Sequence, residues 1–88
     1  MAEIMSNSLD DDRARVQMQM FPLIDDLSNE LKQETVIILR DFVENYEFEV
    51  ALEWLYSVVS EQGITLSNEQ EVRIKHLANA MQVDLNKI

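Results

Sequence analysis

Glu47-Phe48-Glu49-Val50-Ala51-Leu52-Glu53-Trp54-Leu55-Tyr56-Ser57-Val58-Val59-Ser60-Glu61-Gln62, followed by Gly63-Ile64, is the stretch whose reading decides the fold. Helical spacing gathers Phe48, Ala51, Leu52, Leu55, Val58 and Val59 on one side and leaves Glu49, Glu53, Ser57 and Ser60 on the other. This is the pattern of a helix with one face on a core and one in water. Gly63 stands where a left-handed C-terminal cap is wanted, and Ile64 is placed to fold back onto Val59, as that cap favours. The spacing therefore predicts a helix over Glu47–Gln62 with a defined stop.

Downstream, Ser67 followed at the third position by Gln70 is a capping box, with Glu69 and Glu71 in the first turn, where the helix dipole favours negative charge. It predicts a last helix from Asn68 to about Gln82 with Ile74, Leu77, Ala78 and Met81 as its core face. Upstream, a helix is predicted over Asn29–Asn45, capped by Ser28 with Glu30 in its first turn. Its apolar face is Leu31, Thr35, Ile38 and Phe42, flanked by Val36, Leu39, Val43 and Tyr46. A weaker helix is expected from Asp10 to Met20, after a flexible segment of residues 1–9. Val16, Met20, Ile24, Leu27 and Leu31 continue an apolar stripe, but Pro22 lacks a donor and clashes with the preceding turn. The stripe is expected to break there, with Pro22 opening a short helix or turn.

The bulk numbers agree with an all-α fold. Eighty-eight residues suffice for one core, so residues 10–88 read as a single domain. One glycine and one proline are too few for the turns of an all-β domain. Short connections favour antiparallel neighbours, giving a small bundle of three main helices plus the N-terminal one, with a radius of gyration of about 12 Å. No cysteine is present, so disulfides and thiolate metal sites are excluded and a reducing cytoplasm is the expected compartment. Met1–Asp12 lacks the features of a signal peptide, and no run approaches the length of a membrane span.

Seventeen acidic against seven basic side chains give a formal charge of −10, which disfavours direct contact with nucleic acid or anionic membranes and favours basic surfaces. Catalytic chemistry finds little support. The single histidine, His76, sits beside Lys75 with no glycine-rich nucleophile turn anywhere in the chain. Asp10, Asp11 and Asp12 lack the glycine and distal glutamate of a calcium loop. Glu49 and Glu53, one helical turn apart on an outward face, read as solvated rather than as an acid/base pair. No catalytic, metal or cofactor residue is assigned. Asn7-Ser8-Leu9 is faintly similar to the modified serine of acyl carrier proteins, but that serine opens a helix after a full preceding helix, and Ser8 has seven residues before it.

What remains is a surface. Asp41, Glu44, Glu47, Glu49 and Glu53 place five carboxylates around the turn between the second and third helices, with Arg40 as the nearby cation. Ile37 falls in line with Asp41 and Glu44, and Trp54 and Tyr56 fall at opposite borders of the third helix's core face. Apolar and aromatic residues rimmed by charge make interface anchors; the competing reading puts Ile37 under the first helix and Trp54 in the core.

Glu47-Phe48-Glu49-Val50-Ala51-Leu52-Glu53, Gly63-Ile64-Thr65-Leu66-Ser67 and Leu77-Ala78-Asn79-Ala80-Met81 together resemble the Maf-type immunity proteins, which are similar to those of contact-dependent growth inhibition systems. The likeness spans roughly Thr35 to Val83 and departs from the family at Phe48, where tryptophan is usual, and at Glu49, where a small residue is usual. It implies a cytoplasmic antitoxin that binds the C-terminal domain of a cognate toxin as a 1:1 heterodimer, first among the possibilities an EndoU-like ribonuclease. Colicin nuclease inhibitors are also acidic four-helix proteins, but their Tyr-Tyr-Pro signature is absent here. A carrier-like domain and a general acidic interaction module are the alternatives.

Overall fold

The computed structural model describes residues 2–85, with side chains described for residues 12–85. It contains four helices and, among the described residues, no strand: α1 (Ala2–Leu27), α2 (Gln33–Glu44), α3 (Phe48–Gln62) and α4 (Asn68–Met81). Each packs on the next, and α4 closes the ring against α1. The core is one cluster, to which α1 supplies Met20, Leu23, Ile24 and Leu27, α2 Leu39 and Val43, α3 Ala51, Leu52, Leu55, Val58 and Val59, and α4 Ile74, Leu77 and Ala78. No helix among the described residues is long and apolar enough to cross a membrane.

The N-terminal helix is the longest of the four, not the weakest. It begins at Ala2, ahead of the expected start at Asp10, and passes through Pro22 without ending. No helix end marks the expected boundary between residues 1–9 and the domain that follows. The apolar stripe is likewise unbroken at the proline, since Met20, Leu23, Ile24 and Leu27 are all buried. Pro22 itself is exposed, so the helical hydrogen bond it removes is the one that the carbonyl of Met18 would accept, on the solvent side where water can replace it. At 26 residues the helix is roughly 39 Å long. That length accounts for a radius of gyration of 13.7 Å and extents of 49 × 25 × 21 Å, against the ~12 Å expected of a sphere-like domain this size.

The second helix also differs from expectation. It starts at Gln33, after Lys32, with no side-chain cap, and Ser28 serves the preceding helix instead. The Ser28 hydroxyl donates to the Asp25 carbonyl at 2.6 Å, alongside its own backbone N–H at 3.2 Å, and so closes the end of α1. Leu31 is buried in the connecting turn. Within α2 the buried residues are Thr35, Leu39 and Val43, while Ile38, expected in the core face, is 41% exposed. Tyr46 lies beyond the helix end and is exposed too.

The third and fourth helices follow the sequence reading. Ser67 and Gln70 form both halves of the capping box, at 3.1 and 2.9 Å. At Gly63, with φ 63°, Ile64 N–H donates to the Val59 carbonyl at 3.0 Å, which is a Schellman stop. The same arrangement recurs where α2 and α4 end. Glu47 N–H donates to Phe42 at 2.9 Å around Tyr46, with φ 62°, and Val83 N–H donates to Ala78 at 2.8 Å around Gln82, with φ 58°. Two of the three left-handed caps therefore carry a side chain.

Two stability outcomes follow from this backbone. Pro22→Ala restores a donor inside a continuous helix and should raise the unfolding free energy by roughly 1–3 kcal/mol in urea titrations, whereas no gain would mean the helix is already interrupted there. At Gly63 a Cβ would meet nothing within 4 Å, so the effect of Gly63→Ala is purely that of the left-handed backbone. It should lower stability by about 1–2 kcal/mol, and Gln82→Gly should raise it by up to about 1 kcal/mol.

Candidate partner-binding site

The outer side of α2 is set by what its flanks are tied to. On one flank, the Arg40 guanidinium donates to the Asp25 carboxylate of α1 at 2.7 Å and lies 5.0 Å from the Phe21 ring centroid. On the other flank, Phe42 meets Trp54 of α3 edge to face, with centroids 6.0 Å apart. Ile37, Asp41 and Glu44 are thereby turned opposite the buried row Thr35, Leu39 and Val43. Ile37 is 60% exposed, and with Ile38, Arg40, Asp41 and Glu44 it lines a shallow depression.

The five carboxylates are all exposed, but they do not form one tight group. Asp41 and Glu44 belong to the depression on α2. Glu47 and Glu49 border a second depression, at the end of the bundle, where the α2–α3 turn meets the last turn of α4. Glu53 lies one turn further along the outer face of α3. Arg40, the cation expected to offset them, is committed to Asp25. A different cation reaches the turn: Arg13 of α1 stacks over the Tyr46 ring at 5.2 Å.

Trp54 and Tyr56 are both half-buried and packed against the core, on opposite borders of α3. Trp54 fills the α2–α3 seam through its contact with Phe42. Tyr56 lines the cleft between α3 and α4 with Ile64, Leu66 and Lys75. The two aromatic rings thus serve different seams, and of the three candidate anchors Ile37 is the one that faces solvent.

To the surface the structure adds residues that spacing assigned to the core, Ile38, Tyr46 and Met81, and others that it left unassigned. Tyr46, Val50 and Ile38 are exposed, and Met81 and Gln82 border the same bundle-end depression as Glu47 and Glu49. Asn45 was the available signal for Tyr46, because asparagine commonly closes a helix and puts the next residue outside it. Here the Asn45 side chain donates to the Asp41 carbonyl at 2.8 Å. His76 is exposed in a groove between α1 and α4 with Met18 and Val72, and no serine or carboxylate lines that groove. Among the described residues no group of three His, Cys, Asp or Glu side chains is placed to hold a metal ion. The side chains of Asp10 and Asp11 lie outside the described residues, and so does that of Ser8, whose backbone lies within α1.

Chemically the arrangement offers carboxylates that can accept hydrogen bonds from cationic side chains, interleaved with exposed apolar groups that gain from being covered. No protein-family model, curated protein or solved structure matches the chain.

Proposed function

We propose that this chain is a cytoplasmic immunity protein that binds the C-terminal domain of a cognate bacterial toxin, a basic nuclease of EndoU-like or other ribonuclease type, as a 1:1 complex. It inhibits by occlusion: the acidic surface covers the basic groups that hold RNA, so substrate is excluded without chemical change to either protein. One observation carries this reading. Asp41 and Glu44 stand in solvent beside exposed Ile37, Glu47, Glu49 and Glu53 continue the exposed acidic surface through the α2–α3 turn and along α3, and the charge of Arg40, which lies among them, is paired with Asp25. A surface with an excess of one sign speeds encounter with a basic partner, and apolar groups within it supply contact after encounter.

Co-purification with the toxin domain encoded beside it is the direct experiment, followed by association kinetics. Glu44→Lys, Glu47→Lys, Glu49→Lys and Glu53→Lys together add eight charge units and move the formal charge from −10 to −2. The fourfold variant should associate at least about tenfold more slowly at low salt, with a flatter salt dependence and unchanged helical circular dichroism. Equal rates, equal salt dependence and equal protection of toxin-expressing cells would remove the patch as the interface. Stoichiometric modification by a phosphopantetheinyl transferase, seen in intact mass, would favour the carrier reading.

A further inference from the structure

We propose that the anchoring centre of the interaction surface is the depression at the bundle end between the α2–α3 turn and the end of α4, and that it takes a large apolar or aromatic side chain flanked by arginine or lysine on a basic protein. The class of partner rests on the function proposed above; the location and the chemistry of the anchor rest on the geometry that follows.

The floor of the depression is apolar and open. Tyr46 is 51% and Val50 46% exposed, and Phe48 and Met81 are half-buried beside them. The Tyr46 and Phe48 rings meet edge to face with centroids 5.9 Å apart, which holds the Tyr46 ring in place. Residues that keep a rigid aromatic surface in water lose little side-chain freedom when a partner covers it.

The rim selects cations. Glu47 and Glu49 border the depression and are exposed. The C-terminal ends of α2 and α4 both point here, and neither helix has a basic residue in its last turn, so their terminal carbonyls add partial negative charge. The N-terminus of α3 contributes the opposite sign, but Glu49 in its first turn opposes it. The molecule already seats a guanidinium on this ring: Arg13 lies 5.2 Å from the Tyr46 centroid.

The caps point the same way. Left-handed backbone is tolerated best by glycine, and at the far end of the bundle the α3 stop uses Gly63. At the near end Tyr46 and Gln82 occupy left-handed positions at φ 62° and 58°, and both border this depression. Neither side chain belongs to the buried core, so beyond the contacts of Tyr46 with Phe48 and Arg13 what they supply is surface.

This gives a test in which loss of binding is separated from loss of fold. The probe is the synthetic peptide Ac-Gly-Arg-Trp-Arg-Gly-NH2, titrated into the labelled full chain and followed by amide chemical shifts. Shifts should concentrate at residues 46–50 and 80–82, weaken with added salt, and be absent when glutamate replaces both arginines. Tyr46→Gly, which suits the left-handed position, should keep helicity and weaken binding about tenfold or more. Tyr46→Asn, also tolerated there, stands in if the glycine variant is destabilised. Shifts centred on Ile37–Glu44 or on the Met18–Val72 groove, an unchanged Kd in both Tyr46 variants, equal binding by the peptide with serine in place of tryptophan, or no binding at millimolar peptide would each overturn the proposal. So would concentration-dependent shifts at residues 46–50 in the free protein, which would make a second copy the occupant. A toxin domain that co-purifies equally with parent and Tyr46→Gly removes this anchor and leaves the proposed function. No co-purification, with the peptide still mapping to the depression, does the reverse.

Discussion

The bundle depends on one helix running uninterrupted through a proline. Met20, Leu23, Ile24 and Leu27 of α1 are at most 1% exposed and reach the cluster to which all three other helices contribute. A break at Pro22 would rotate Leu23, Ile24 and Leu27 away from Met20 and divide the core. Proline inside a helix costs about 3 kcal/mol, and burying one large aliphatic side chain stabilises by about 1.5–3 kcal/mol. Three such side chains beyond the proline outweigh the penalty, and because Pro22 faces water its lost hydrogen bond leaves no buried orphan.

The same helix sets the positions of its neighbours. Asp25 and Asp26 are adjacent in sequence and point to different sides, so Asp25 holds Arg40 of α2 and Asp26 holds Arg73 of α4, each at 2.7 Å. Exposed pairs of this kind contribute about 0–1 kcal/mol, so their importance lies in orientation. Seventeen residues into the chain, the Gln17 side-chain amide donates to the Val43 carbonyl at 3.1 Å, and one turn earlier Arg13 covers Tyr46. The α2–α3 turn is therefore braced from α1, and the surface around it is presented by a rigid support.

Long-range and short-range effects divide across that surface. Carboxylates spread over two depressions and the outer face of α3 act together on an approaching charge most strongly at low salt, because at physiological ionic strength each is screened beyond about 8 Å. Anchoring is local and requires apolar area beside the charge, which Ile37 with Ile38 provides on α2 and Tyr46 with Val50 provides at the bundle end. Trp54 and Tyr56 act one layer below, filling the seams that hold α3 against α2 and α4.

By itself the sequence determined the class of fold and the whole of α3 and α4, because the signals there are local: Gly63 for a left-handed stop, Ser67 with Gln70 for a start, and a single narrow apolar stripe between them. Charge also placed Asp41, Glu44, Glu47, Glu49 and Glu53 in solvent, whereas spacing left Ile37 between the surface and the first helix, and the tertiary structure exposes it. Only the tertiary structure decided the rest. The local penalty at Pro22 is visible in sequence, but the burial that offsets it exists only once α2 and α4 are in place. In α2, apolar residues at 36, 37, 38, 39, 42 and 43 satisfy more than one helical face, and the packing of α1 and α3 selects Leu39 and Val43 over Ile37 and Ile38. Arg40 lies next to Asp41 in the chain, yet pairs with a residue fifteen positions away. Tyr46 and Gln82 take left-handed backbone that their side chains do not announce, because the helix endings that impose it are fixed by where the bundle stops.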